Sequence, residues 1–188
     1  KWKAAYGVKT TEKILEDFLT ERPITVRCRT HKASLREIVT SLKSQGVTVE
    51  QAPYLPYALK ISDYNHILTL ETFLQGKILV QDVSSMLVAE AASPKKGDHI
   101  IDMCAAPGGK SIHAADKMGD YGNVDARDVS QYKADLIKEN IHRTGVINVE
   151  ARVQDATVYD PDSEQAADIV IADVPCSGYG VIGKKPEI

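Results

Sequence analysis

Cys176 stands in the run Asp173-Val174-Pro175-Cys176-Ser177-Gly178, directly after the apolar stretch Ile169-Val170-Ile171-Ala172. A thiol that follows a buried strand and sits in a Pro-Cys turn is placed for chemistry rather than for packing. With Asp173 beside it, a thiolate can add to an electron-poor ring carbon while the acid supports the charge that develops on the ring. A second turn, Asp102-Met103-Cys104-Ala105-Ala106-Pro107-Gly108-Gly109-Lys110, lies upstream at the end of another apolar strand. Its small residues let backbone approach a ligand closely, and it opens a helix whose N-terminus favours negative charge. The pairing predicts a turn that holds a nucleotide-like ligand and another that presents sulfur and carboxylate beside it.

The pattern of the first turn narrows the ligand. A dinucleotide site would show GxGxxG, which is absent. The P-loop pattern GxxxxGK[ST] fits Cys104 to Ser111 except at its first glycine, where Cys104 stands. That glycine lets the loop wrap phosphates, and Pro107 stiffens the segment, so a P-loop-like NTPase is the alternative rather than the first reading. Asp128 closes the stretch 122–127 and precedes Ser130, which starts a helix. A carboxylate at the tip of a second strand accepts hydrogen bonds from ribose hydroxyls. Asp125, three residues earlier, is its rival inside the strand. Asp155, in Val153-Gln154-Asp155-Ala156, stands where a carboxylate can accept a hydrogen bond from an adenine amino group. Together these positions favour S-adenosylmethionine.

The second turn suits such a donor. Carbon 5 of a cytosine accepts a methyl group only after a nucleophile adds at carbon 6, and a thiolate with an acid near ring nitrogen 3 does this. Nitrogen methylation needs no thiol and shows Asn-Pro or Asp-Pro followed by an aromatic; Cys176 occupies that aromatic place.

The elements that would position these turns are legible as a pattern. Residues 24–29 alternate as a half-buried strand, and Ser34 with Glu37 makes a capping box ahead of the stripe Leu35, Ile38, Val39, Leu42, which Gly46 stops. Strands follow near 47–51 and 57–61, a short helix near 69–75 and a strand at 77–81, an order that is ferredoxin-like. One amphipathic helix is expected over 11–19. From a helix near 84–92 onward, strands and helices alternate, with strands near 99–101, 122–127, 148–153 and 168–172. Alternation predicts a parallel doubly wound α/β sheet, and all the suspect residues fall at the carboxyl ends of its strands.

Composition is that of an ordinary globular protein: 188 residues, 43% hydrophobic and 26% charged. No apolar run approaches the roughly 20 residues of a membrane span, no secretory segment leads the chain, and no membrane partner is expected. Three scattered cysteines, Cys28, Cys104 and Cys176, form no CxxC pair; this predicts no metal centre and free thiols in a reducing cytoplasm. A net charge of −3 requires any polyanion site to be local. Arg27, Arg29, His31 and Lys32, then Lys95 and Lys96, then Lys184 and Lys185 are the candidate patches.

At DMCAAPGGK (102–110) and DVPCSGYG (173–180) the chain resembles the RNA 5-methylcytosine methyltransferases of the NOL1/NOP2/Sun family, specifically the RsmB or Sun-type ribosomal RNA enzymes. QDVSS (81–85) and ENIHRTG (139–145) extend the resemblance along the chain. It implies a Rossmann-like class I methyltransferase domain over 77–188, after a small ferredoxin/RRM-like domain over 1–76 that contributes to binding RNA, most of all ribosomal RNA. It places S-adenosylmethionine on Cys104, Ala105, Ala106, Pro107, Gly108, Gly109 and Lys110, with Asp128, Asp155 and Asp173, and makes Asp173 and Cys176 catalytic. It also gives Cys176 the task of releasing product, the covalent nucleophile belonging to a later Thr-Cys motif. Read this way, the chain resembles a fragment that binds donor weakly or not at all and does not turn over alone. A non-catalytic RNA-binding module is the reading from a different class.

Overall fold

The computed structural model describes residues 1–20, 23–119 and 121–177. They fall into two compact units, one of Ile24–Val174 and one holding Lys1–Pro23 with the segment from Pro175. In the latter, helix α1 (Trp2–Tyr6) is followed by α2 (Val8–Phe18), and the Trp2 and Phe18 rings meet at 5.7 Å. The helix expected over 11–19 therefore starts three residues earlier.

The large unit contains two sheets. The first is antiparallel, built from β1 (Ile24–Cys28), β2 (Thr48–Gln51), β3 (Ala58–Ser62) and β4 (Ile78–Val80) in the order β2-β3-β1-β4. Helix α3 (Leu35–Ser44) begins at the expected capping box, where the Ser34 hydroxyl accepts from the Glu37 amide and Glu37 Oε2 accepts from the Ser34 amide at 2.8 Å. Val26, Ile38, Leu42, Leu59, Ile61 and Ile78 fuse the helices to one face of the sheet. The helix expected at 69–75 resolves into a 310 turn, Ile67–Thr69, and α4 (Glu71–Leu74), because Leu70 between them is extended. This is the ferredoxin-like arrangement, and its fourth strand lies past residue 76.

Helix α5 (Val83–Ala92) leads into the second sheet: β5 (His99–Asp102), α6 (Gly109–Met118), β6 (Asn123–Asp128), α7 (Gln131–Thr144), β7 (Val149–Val153) and β8 (Ile169–Ile171). All four strands are parallel in the order β7-β6-β5-β8. The chain moves outward from β5 to β7 and then returns to the other side of β5. Such a reversal opens a crevice at the carboxyl ends of the strands, which is where open α/β sheets take ligands. Small side chains let α6 lie close: Ala114, Ala115 and Met118 pack with Ile100, Val124, Ala126 and Ile171.

The two sheets are joined by charge. Arg27 and Arg29, two residues apart on one side of the chain leaving β1, both reach Asp116 on α6. Arg29 grips the carboxylate with Nε at 2.9 Å and Nη2 at 2.6 Å, while its Nη1 donates to the carbonyls of Gly76 and Thr144. Arg27 donates to Asp116 at 2.7 Å and to Gln81 at 2.9 Å. Both arginines are buried, so they are not the free polyanion patch suggested by their spacing. A strand alternates its faces, and a pair two apart on the face turned toward a neighbouring layer is sealed with it. Lys96 lies over the Tyr121 ring at 4.8 Å, and Lys184 and Lys185 lie outside the described residues. Among the described residues no helix is long and apolar enough to cross a membrane.

Candidate active site

The turn after β5 is fastened from three directions. The Met103 amide donates to the Ile171 carbonyl of β8 at 2.9 Å, and the Ala105 amide donates to the Arg127 carbonyl of β6 at 2.8 Å. The Ala106 amide donates to Asp128 Oδ2 at 3.0 Å. Gly108 closes the turn onto Ala105 at 2.6 Å across a cis Ala106–Pro107 bond. The amides of residues 105, 106 and 108 are therefore engaged within the protein. A phosphate cradle needs such amides turned outward, so these three do not serve one, which counts against the NTPase alternative.

The two glycines differ in their reasons. Gly108 has φ +100, and a Cβ there would meet Ile137 Cγ2 at 3.3 Å, so it permits both the backbone conformation and the approach of α6 to α7. A Cβ on Gly109 would meet only the Gln81 side chain at 3.8 Å, an ordinary contact.

Asp128 ends β6 as its position in the sequence suggests, while Asp125 lies inside the strand. Asp125 is buried and bound by Arg127 Nε at 2.6 Å and Arg152 Nε at 2.7 Å, a structural pairing. Asp128 accepts from the amides of Ala106 and Val129 and lies 3.0 Å from Lys133 Nζ. Burial opposes its charge, yet Lys133 and the two amides outweigh burial and hold the carboxyl below its ordinary value.

Asp102, at the tip of β5, has a role its sequence position does not disclose. It is fully buried, and its Oδ2 accepts from Ser111 Oγ at 2.6 Å. Its Oδ1 is buried without a hydrogen bond of normal geometry, although the Cys104 amide eases its charge. Burial lifts this carboxyl to about 6, against the help of Ser111 and Lys110. An unsatisfied carboxylate oxygen in a ligand turn calls for a cationic or donor group from outside.

Lys110 crosses from this turn to the next. Its Nζ lies 2.5 Å from Asp173 Oδ2, which ties the first turn of α6 to the segment leaving β8. Because Asp102 pairs with Ile171 across the two strands, the turns at 103–108 and 172–174 are neighbours. Asp155 is exposed after β7 and accepts from the Thr157 amide at 2.9 Å and hydroxyl at 2.7 Å. A cleft of about 210 Å³ lies at this strand edge, lined among others by Met103, Arg127, Gln154, Asp155 and Val158. The structure thus assembles Cys104–Lys110, Asp128 and Asp173 and sets Asp155 on the adjoining cleft. Burial and the nearby carboxylates Asp128 and Asp102 raise the half-buried Cys104 thiol, so it is not a nucleophile in waiting. Cys176 belongs to the other compact unit; its thiol is free and exposed. Residues 178–180 of the second motif lie outside the described residues.

Residues 89–188 match the family model described as 16S rRNA methyltransferase RsmB/F. The chain belongs to this family. A second model, the ferredoxin-like domain of RsmF/B-like methyltransferases, matches residues 1–67. Among curated relatives, the probable ribosomal RNA small subunit methyltransferase B of Bacillus subtilis is 36% identical over 100% of this chain and 42% of its own length. The 28S rRNA (cytosine-C(5))-methyltransferase of Mus musculus is 34% identical over 89% of this chain and 21% of its own. The RsmB/F-family chain therefore spans less than half of either relative. Among solved structures, a methyltransferase homologue from Pyrococcus horikoshii superposes with a TM-score of 0.73 at 29% identity, covering 94% of this chain and 58% of that one. The same fold recurs in NSun6 from that organism, solved with SFG, at a TM-score of 0.77 and 22% identity over 97% of this chain and 71% of that one.

Proposed function

We propose that this RsmB/F-family chain carries the donor site and part of the reacting site of an enzyme that methylates carbon 5 of cytosine in ribosomal RNA, with S-adenosylmethionine as donor. The observation that carries the reading is the junction of the two turns: Lys110 at the mouth of the donor turn is paired with Asp173 of the Asp-Val-Pro-Cys segment. Membership of the family supports the RNA substrate, and the name of the Bacillus subtilis relative favours the small-subunit RNA. A cytoplasmic location accords with that reading.

The residues present suit the donor. S-adenosylmethionine supplies an electrophilic methyl group on a sulfonium, an ammonium and a ribose. Asp102 Oδ1, buried and unsatisfied, suits a cationic or amino group, and its carboxyl ionises more readily when one arrives. Asp128 suits the ribose hydroxyls: a carboxylate has about four acceptor sites, of which protein donors here use part. Asp155 and Met103, sharing a cleft, suit the base.

Asp173 then does the acid's work. Held by Lys110, it accepts the cytosine amino group or hands a proton to ring nitrogen 3 as a thiolate adds to carbon 6. The electron pair displaced from the ring makes carbon 5 the nucleophile; after methyl transfer a base, water or a side chain, takes the carbon 5 proton, that bond's electrons restore the 5,6 double bond, and the sulfur leaves as thiolate. The family resemblance gives the addition to a cysteine of a later Thr-Cys motif and the release step to Cys176.

The test is transfer of labelled methyl to ribosomal RNA by the complete gene product. The expected result is 5-methylcytosine formation that falls at least about 100-fold in Asp173→Asn, the loss typical of a positioned acid. Label on a ring nitrogen, or undiminished transfer by Asp173→Asn, would refute the reading.

A further inference from the structure

The ferredoxin-like sheet is not built to stack bases on its strands. Sheets that do so carry aromatic rings on the open face. Here that face runs through Thr25, Arg27, Ala58, Lys60 and Leu79, the residues alternating with the buried Val26, Leu59, Ile61 and Ile78, and it holds no ring. Arg27, Ala58 and Leu79 on it are moreover buried. RNA bound by this domain needs a different contact.

Among the described residues of Ile24–Val80, one tyrosine is displayed to solvent. Of Tyr54, Tyr57, Tyr64 and Phe73, the last three are packed: Tyr57 against His113, Tyr64 on the core of the sheet, and Phe73 beneath Arg143 at 3.8 Å. Tyr54 is 85% exposed. It is also held at φ +70, a left-handed conformation that disfavours a bulky side chain and that a glycine would adopt freely. The turn around it is braced. Gln51 Nε2 lies within 3.0 Å of the carbonyls of Ala52, Leu55 and Ala58, and the Leu55 amide donates to the Pro53 carbonyl at 2.9 Å. Its root is packed on α5 through Ala52, Ala58 and Met86, with Leu55 and Tyr57 alongside. The fold thus maintains a costly backbone at Tyr54 and leaves its ring exposed to solvent.

We infer that Tyr54 is the base-stacking contact of the small domain, taking the face of an unpaired nucleotide of the substrate RNA. The braced turn fixes the backbone that carries the ring, which lowers the backbone entropy lost on stacking. A stacking ring on a loop selects single strands over duplex and is indifferent to sequence. The inference rests on the RNA substrate proposed above.

Fluorescence anisotropy of the complete gene product with a labelled mixed-sequence single-stranded RNA, and with the same sequence as a duplex, tests it. Tyr54→Ala and Tyr54→Gly weaken single-strand binding about 5- to 100-fold, the factor carried by one lost stack, while Tyr54→Phe retains it. The salt dependence keeps its slope, since no phosphate contact is removed. The melting temperature of Tyr54→Gly is unchanged or raised, opposite in sign to a packing role. Equal affinity of all four proteins for single strands overturns this inference and leaves the reaction reading standing. Failure of the unsubstituted gene product to bind either RNA overturns both.

Discussion

Asp116→Ala lowers the unfolding free energy by about 3–5 kcal/mol in urea titration, the cost of stripping one partner from a buried ion cluster. The size follows from what is left behind. Arg27 and Arg29 are 2% and 1% exposed, and Asp116 is the anion that both of them share. Without it, two guanidinium groups stay buried without a counter-charge, since the carbonyls of Gly76 and Thr144 neutralise nothing. Burial opposes ionisation of Asp116, yet Arg29 and Arg27 outweigh it and hold the carboxyl below its ordinary value of 3.8. A depressed carboxyl contributes stability that is complete above the unfolded value and lost as pH falls through the folded one. The difference between wild type and Asp116→Ala should therefore be constant from pH 5 to 7 and shrink below about pH 4. A difference under about 1 kcal/mol at neutral pH would show that the cluster is solvated and the junction loose.

Gly76→Ala is the second large effect. Gly76 has φ +64, and a Cβ there would lie 2.5 Å from the Arg143 carbonyl oxygen and 2.6 Å from Thr144 Cα. Both are backbone atoms at the end of α7, where no side chain can swing aside. The same helix end is held by Arg29 on Thr144 and by Arg143 on the carbonyls of Phe73 and Ile78. An added methyl must push the two layers apart or unwind a turn, at about 3 kcal/mol for overpacking with an unfavourable φ. Gly46→Ala is the control, because its φ is +81 but a Cβ would meet nothing within 4 Å. Thermal unfolding should drop for Gly46→Ala only by the backbone term, about 1 kcal/mol, and by several times more for Gly76→Ala. Equal losses would contradict the close contact.

What the sequence disclosed, and what it hid, follows from the range of each interaction. The Ser34–Glu37 capping box is a contact over three residues and can be read directly. Asp128 could be separated from Asp125 because a strand must end before Ser130 caps the next helix, and the structure ends it there. The alternation after residue 84 correctly announced a parallel sheet, whose strand order then brought the two turns together. The buried arginines misled as a surface patch because their partner, Asp116, is 87 residues from Arg29 and no local pattern links them. Asp102 was visible only as the first letter of a motif; its unsatisfied oxygen is a property of packing. The likeness of Cys104–Ser111 to a P-loop weakens for a similar reason, since letters do not show that three of the turn's amides point inward.

Calorimetric titration of S-adenosylmethionine, and separately of magnesium ATP, into the complete gene product is the direct test of the proposed donor site at Asp128. Saturable binding of the donor is expected, with no binding of the triphosphate and at least about tenfold weaker donor binding in Asp128→Ala, as for loss of hydrogen bonds to a charged acceptor. Saturable binding of magnesium ATP, or donor binding undisturbed in Asp128→Ala, would contradict it.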